Sequence, residues 1–205
     1  ANWLHNGKVN EKWAFEKGAY DTSTFFDNPN GSFNDQITHN PEARFWIPSM
    51  SELIKANHYD PDRYGPGEEG YWRYNSTSNI RLIGGPPGSP GAQTDNGSWG
   101  DPFQHYPFDA YPDTVSPWGL LGASGGTRQW TEGVEDFGFG PVNRRVRGTR
   151  RHFSLGHDNL DRLAFRKPDS FGSLGLRLAS AVPSPATFAV YGAASLFLVS
   201  RRRRK

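Results

Sequence analysis

The stretch Ala43–Pro61 reads Ala-Arg-Phe-Trp-Ile-Pro-Ser-Met-Ser-Glu-Leu-Ile-Lys-Ala-Asn-His-Tyr-Asp-Pro, and it predicts a short strand followed directly by a helix. Ser49 and Glu52 have the spacing of a capping box, in which hydroxyl and carboxylate each accept a backbone N–H at the start of a helix. Pro48 favours an extended residue before it, because the helical region is disfavoured there. Pro61 is expected to end the helix after about two and a half turns.

The composition predicts a loop-rich domain of the mixed α+β class with an aromatic core. Gly and Pro make up 40 of the 205 residues, and aromatic residues make up 14%. The net charge of +2 becomes −3 without the terminal cluster Arg201–Lys205, so the basic balance does not indicate a nucleic-acid surface. The chain has no cysteine, which excludes disulfides, thiolate metal sites and a cysteine nucleophile.

Four further segments carry local predictions. Ala1–Gly7 is typical of the last turn of a helix, with Gly7 in the left-handed position. Asp27–Gly31 is a turn cluster. Leu160–Arg166 alternates as a half-buried strand does. Residues 80–117 are expected to form a long loop of the kind that carries binding surfaces, with mobility most expected over 84–98.

Several segments, taken in order along the chain, resemble the formylglycine-generating enzyme (sulfatase-modifying factor) superfamily and its divergent surface-protein branch. The helix segment is similar to the family signature R-L-P-T-E-A-E-W-E-Y-A, and the segment around Trp118–Glu132 is similar to Y-G-L-Y-D-M-x-G-N-V-W-E-W-T. The other matching segments are Ala1–Gly7, Gly18–Asp21, Tyr59–Pro61, Tyr71–Tyr74, Arg145–Gly148 and Leu174–Ser180. Their order along the chain carries the resemblance.

The resemblance implies a C-type-lectin-like fold over residues 1–180, with short family strands at Gly18–Asp21, Tyr71–Tyr74 and Leu174–Ser180. It also implies that Ala1–Gly7 ends a helix that several strands precede. Residues 1–180 are therefore expected to be the C-terminal two-thirds of the family domain, with its start missing.

The family's known chemistry oxidises a cysteine of a sulfatase with a copper-binding pair of cysteines, and this chain has none. This favours a domain without enzymatic activity but leaves the question of an enzyme open, and no cofactor is predicted. His152, His157 and Asp158 could instead hold a different metal, or they could be solvated loop residues. The family's calcium ligands are replaced at Gly126 and Gln129, although a structural calcium ion remains possible at other acidic turns.

Five aromatic residues are candidate ligand contacts. They could form a stacking face for sugars, or they could belong to the core, where large aromatic side chains are usually found. These residues are Tyr71, Trp72, Tyr74, Trp118 and Trp130.

Residues 181–205 form a tail that resembles the PEP-CTERM sorting signal of exported bacterial proteins, in a V-P-x-P-x-T variant with serine where glutamate is commoner. The apolar run Ala186–Val199 has 14 residues, fewer than the roughly 20 of a stable membrane span. It is expected to be an apolar helix outside the domain; the alternative is a buried C-terminal helix with a basic cap. The sorting residues are Val182, Pro183, Ser184, Pro185, Thr187, Arg201, Arg202, Arg203 and Arg204.

These features together predict an exported protein of the cell surface or extracellular space, whose C-terminus is cytoplasmic before processing. Its expected partners are the membrane, at least transiently, and an exosortase-like sorting protease. The expected function is non-catalytic binding of extracellular polysaccharide or of a protein partner. The alternative is a divergent or inactivated sulfatase-modifying oxidase.

Overall fold

The computed structural model describes residues 1–29, 33–95, 106–125, 127–135, 143–148, 158–162, 164–166 and 174–181. These parts are mixed α+β, with short helices, small sheets and long loops, which confirms the predicted class. The helices are α1 (Asn2–His5), α2 (Lys12–Glu16) and α3 (Met50–His58). The strands are β1 (Phe26–Asp27), β2 (Phe33–Asn34), β3 (Phe45–Trp46), β4 (Tyr59–Gly65), β5 (Glu68–Tyr71), β6 (Arg128–Glu135), β7 (Asn143–Arg147), β8 (Ala164–Arg166), β9 (Leu174–Gly175) and β10 (Ala179–Ser180).

The strands form one central sheet and three short ladders. The central sheet has the order β8-β7-β6-β9, with β9 parallel to β6 and the other pairs antiparallel. β4 and β5 form a hairpin, β1 pairs with β2, and β10 pairs with β3. Of the predicted turn cluster Asp27–Gly31, Asp27 lies in β1, and Asn30 and Gly31 lie outside the described residues. The helix α3 contacts both β6 and β7, so it packs against the central sheet.

The start of α3 is the capping box that the sequence predicts. The Ser49 hydroxyl accepts the Glu52 N–H at 3.2 Å, and the Glu52 carboxylate accepts the Ser49 N–H at 2.7 Å. The helix buries Met50, Leu53 and Asn57 on one face. It ends at His58, just before the Tyr-Asp-Pro segment, and both predicted boundaries are confirmed.

Replacing Ser49 by Ala is expected to lower the free energy of unfolding by about 1 kcal/mol, because the helix loses its capping acceptor and one amide is left without a protein partner. Ser51→Ala is the matched control, since Ser51 is exposed within the same helix. Urea denaturation measures both variants. Equal losses in the two variants would contradict a role for the cap.

The predicted helix end at the start of the chain is also confirmed. α1 ends at His5, and Gly7 has a φ of 69°, in the left-handed region. The strand expected at Gly18–Asp21 is wrong. The backbone of Tyr20 is paired with a side chain there: Asn2 Oδ1 accepts the Tyr20 N–H at 2.8 Å and Asn2 Nδ2 donates to the Tyr20 carbonyl at 2.9 Å.

Three other predicted strands are shorter than expected. In Leu160–Arg166 the strand β8 covers Ala164–Arg166, whereas Arg147 donates to the carbonyls of Leu160 and Arg162 and the described residues 160–162 are not in a strand. Leu174–Ser180 is divided into β9 and β10, which pair with different partner strands. Tyr71–Tyr74 leaves the hairpin after Tyr71.

A predicted loop is present at 80–117, where the described residues contain no helix or strand. An isolated bridge between Gly84 and Thr94 holds part of it together. Among the described residues, no helix has the length and apolar character needed to cross a membrane. The sorting residues of the tail, Val182 to Arg204, lie outside the described residues.

Candidate functional site

The β4–β5 hairpin places two tyrosines side by side. Tyr59 is opposite Tyr71 in the antiparallel register, and their ring centroids are 5.3 Å apart. Gly70 is opposite Asp60 and adds no side chain beside the rings. The register becomes irregular after Asp60, where Pro61 has no N–H to donate to the ladder. The hairpin therefore presents a pair of aromatic rings at its helix-proximal end.

Trp118 extends this pair from a distant loop. Its ring is nearly parallel to that of Tyr59, with an interplanar angle of 17° and centroids 6.3 Å apart. The loop is fixed by the Ser116 hydroxyl, which accepts the N–H groups of Trp118 and Leu120 at 3.3 and 3.2 Å. Trp118 is 54% exposed and Tyr71 is 41% exposed. We call Tyr59, Tyr71 and Trp118 the aromatic platform.

Two charged side chains border the aromatic platform. The Tyr59 hydroxyl donates a hydrogen bond to the Glu69 carboxylate, and this bond raises the pKa of the tyrosine. The Lys55 ammonium lies 5.3 Å from the centroid of the Tyr59 ring. Both charged residues are exposed. The platform thus has one acceptor and one donor within reach of a molecule stacked on its rings.

Trp72 follows the end of β5 and lies on the opposite face of the hairpin with Asp60, whose side chain alternates with that of Tyr59 along β4. Its indole N–H donates to Asp60 Oδ2 at 2.8 Å, and this bond lowers the pKa of the Asp60 carboxyl. The Arg63 guanidinium lies 4.7 Å from the Trp72 ring and 4.8 Å from the Tyr64 ring. Trp72 is therefore occupied by contacts within the protein.

The other two aromatic candidates are separate from the platform. Tyr74 is 8% exposed and belongs to the buried residues. Trp130 lines a cavity elsewhere in the molecule. Of the five predicted aromatics, the structure thus brings together Tyr71 and Trp118. Sequence reasoning missed Tyr59. The Gly65-Pro66-Gly67 turn signal indicates a hairpin, but a regular register would place Tyr59 opposite Tyr74, and the irregularity between Asp60 and Gly65 brings it opposite Tyr71.

The cavity beside Trp130 has a volume of about 370 Å³ and mostly apolar walls. At one side, the buried Glu132 carboxylate accepts the Tyr20 hydroxyl and the His39 N–H, and contacts the His39 ring. Burial and the bond to Glu132 raise the pKa of Tyr20. Arg144 pairs with Asp35 at the same side. The apolar walls include Trp3, Phe15, Phe25, Ile37, Ile47 and Trp130.

Of the three candidate metal ligands, the structure describes Asp158. Its carboxylate is buried and accepts the Ser124 hydroxyl and the Gly125 N–H. His152 and His157 lie outside the described residues. Within the described ranges, no group of three or more His, Cys, Asp and Glu side chains is arranged to hold a metal ion.

Gly126 and Gln129 are the two positions that the resemblance aligns with calcium ligands. Gly126 lies outside the described residues. Gln129 is 8% exposed, and its Oε1 has no hydrogen-bond partner in the part of the chain that the structure describes. It lines a small pocket with Asn57, Asn75 and Asp158, and the Arg147 side chain contributes a positive charge to the same walls.

His58 and Arg147 form a buried polar centre at the base of the hairpin. His58 is 1% exposed; its Nδ1 lies 3.0 Å from the Trp72 carbonyl and its Nε2 lies 2.9 Å from Arg147 Nη2. The carbonyl only accepts and the guanidinium only donates, so both bonds require a neutral imidazole with its proton on Nδ1. Burial, followed by the charge of Arg147, lowers the pKa of His58 to about 4. This centre fixes the junction between α3 and the hairpin.

Comparisons with known proteins place few constraints on the chain. No family model matches it, and no curated protein matches it. The crystal structure of CarF is similar, with a TM-score of 0.46 and 18% sequence identity over 73% of this chain and 53% of CarF. The chain thus spans about half the length of CarF. A similarity of this size carries no argument about function.

Proposed function

We propose that this protein is a non-catalytic, surface-associated binding protein that holds extracellular polysaccharide on the aromatic platform. The observation that carries the proposal is the exposure of Tyr71 and Trp118, whose rings both contact Tyr59 and are contributed by a hairpin and a distant loop. Large aromatic side chains are usually buried, so a grouped exposed set indicates a contact surface.

The chemistry of the platform suits sugar rings. The C–H face of a pyranose is apolar and packs on an aromatic face, while its hydroxyl groups stay at the edge, where they need hydrogen-bonding partners. Glu69 provides an acceptor at that edge and Lys55 provides a donor. Tyr59 contacts both other rings, at centroid separations of 5.3 and 6.3 Å, so the platform offers more than one aromatic ring to a sugar chain.

The scaffold that we propose is a C-type-lectin-like domain of the formylglycine-generating superfamily over residues 1–180. The mixed α+β class and the loop-borne Trp118 support it, but a fold alone does not confer a function. The absence of cysteine from the chain removes the thiolates on which a soft copper site depends. Export, surface retention and the sorting role of residues 181–205 are parts of the same proposal.

Replacing Trp118 or Tyr71 by Ala is expected to weaken glycan binding roughly tenfold each, a loss of about 1.4 kcal/mol, because each change removes one stacking surface. Titration calorimetry with soluble neutral oligosaccharides measures the affinities. Tyr64→Ala is the matched control, since Tyr64 is 66% exposed but lies on the other face of the hairpin with Arg63.

Two results would contradict the proposed function. One is a glycan array without signal for neutral, amine-bearing or anionic oligosaccharides. The other is the alternative activity: conversion of cysteine to formylglycine in a sulfatase-motif peptide when the purified protein is supplied with copper and oxygen. Mass spectrometry of the peptide detects that conversion directly.

A further inference from the structure

The charges around the aromatic platform are not balanced. The β4–β5 hairpin carries four carboxylates and one guanidinium, and the end of α3 adds one ammonium. The acidic residues are Asp60, Asp62, Glu68 and Glu69; the basic residues are Arg63 and Lys55. The hairpin therefore has an excess of negative charge beside exposed aromatic rings.

The hairpin's cation and one of its carboxylates point away from the platform. Arg63 is held between Trp72 and Tyr64 on the opposite face, and Asp60 is bonded to the Trp72 indole there. Glu69 is exposed and bonded to the Tyr59 hydroxyl at the edge of the platform. Asp62 is exposed in the turn region, where its Oδ1 accepts the Gly67 N–H at 2.6 Å. The charges of Arg63 and Asp60 cancel, so the hairpin's excess of negative charge is carried by Asp62, Glu68 and Glu69, with Lys55 as the cation beside the platform.

We infer that the platform selects neutral or amine-bearing glycans and rejects polyanionic ones, with Glu69 as the residue that determines this choice. The inference rests on the proposed function and names its ligand class. A carboxylate at the edge accepts hydrogen bonds from sugar hydroxyls and pairs with the ammonium of an amino sugar. A uronate or sulfate placed there would face a like charge, which costs affinity and slows association.

The test compares three soluble oligosaccharides of equal length: a glucan, a deacetylated glucosamine oligomer and an oligouronate. Titration is carried out at low and at physiological salt, at a pH where the glucosamine amines are protonated. The chain of 205 residues is expected to bind the glucosamine oligomer tightest and the oligouronate at least tenfold more weakly. Added salt is expected to narrow that gap, because salt screens exposed charges.

Glu69→Gln keeps an acceptor for the Tyr59 hydroxyl but removes the charge, so it is expected to reduce the ratio of glucosamine-oligomer affinity to oligouronate affinity at least threefold. Glu69→Lys is expected to reverse the preference. Glu42→Gln is the matched control, because Glu42 is an exposed carboxylate outside the hairpin. Circular dichroism establishes that the variants are folded.

The outcomes separate this inference from the proposed function. Oligouronate binding as tight as glucosamine binding, or an unchanged ratio in Glu69→Gln, overturns the ligand class but leaves glycan binding in place. Failure of all three oligosaccharides to bind overturns both. The proposed function and this inference are both supported if the glucosamine oligomer binds at least tenfold tighter than the oligouronate, and if this ratio falls in Glu69→Gln but not in Glu42→Gln.

Discussion

Replacing Arg147 by Met is expected to lower the free energy of unfolding by roughly 3–5 kcal/mol, a large effect for a single substitution. Arg147 is 4% exposed, and its guanidinium donates to His58 Nε2 and to three backbone carbonyls. Methionine fills a similar volume but donates nothing, so all four acceptors lose their partner inside the protein. The carbonyls belong to Asn159, Leu160 and Arg162.

Arg81→Met is the matched control for this experiment, because Arg81 is exposed and surface substitutions usually change stability by less than about 0.5 kcal/mol. Arg147→Lys is the second variant, and it keeps the charge but loses the planar fork of donors. The free energy of unfolding of Arg147→Lys is expected to lie between that of the unchanged protein and that of Arg147→Met. Urea denaturation gives the three values; a loss in Arg147→Met no larger than in Arg81→Met would show that this buried centre does not support the fold.

Lowering the pH from 6.5 to 4 is expected to remove about 3 kcal/mol of stability through His58 alone. The pKa of His58 is about 4 in the folded chain, against 6.5 for an ordinary histidine. Between these values the unfolded chain binds a proton at this residue and the folded chain does not, so protonation favours unfolding. The stability is fully present above pH 6.5 and is lost as the pH falls to about 4.

His58→Gln isolates this contribution from those of the carboxylates. Glutamine can donate to the Trp72 carbonyl and accept from Arg147, as the imidazole ring of neutral histidine does, but it does not titrate. The difference in unfolding free energy between the two proteins is expected to shrink steadily as the pH falls from 6.5 to 4. A difference that stays constant over this range would contradict the assignment of a neutral buried His58.

Local features of the fold were predictable because the residues that specify them are neighbours in sequence. The capping box of Ser49 and Glu52 and the left-handed Gly7 are confirmed for this reason. The strand at Gly18–Asp21 is wrong because a remote side chain, Asn2, binds the backbone of Tyr20 in place of a strand partner. The residues adjacent to Tyr20 in sequence give no indication of its contact with Asn2.

The candidate site was predictable only in part for the same reason. The aromatic residues could be selected by type, but their grouping depends on contacts between the hairpin and the loop that carries Trp118. Tyr71 and Trp72 are adjacent in sequence and lie on opposite faces, because the strand ends between them and Trp72 bonds to Asp60. Trp130 belongs to β6 of the central sheet and therefore lines the apolar cavity, away from the platform.

The pairing of β10 with β3 has a mechanical consequence. This ladder joins Ala179 and Ser180 to Trp46 and Phe45, and it is the last described sheet contact before residue 181. A pulling force applied to the chain after residue 181 would act first on these two residue pairs. The force would therefore be transmitted to β3, which precedes the capped helix α3, before it acted on the central sheet.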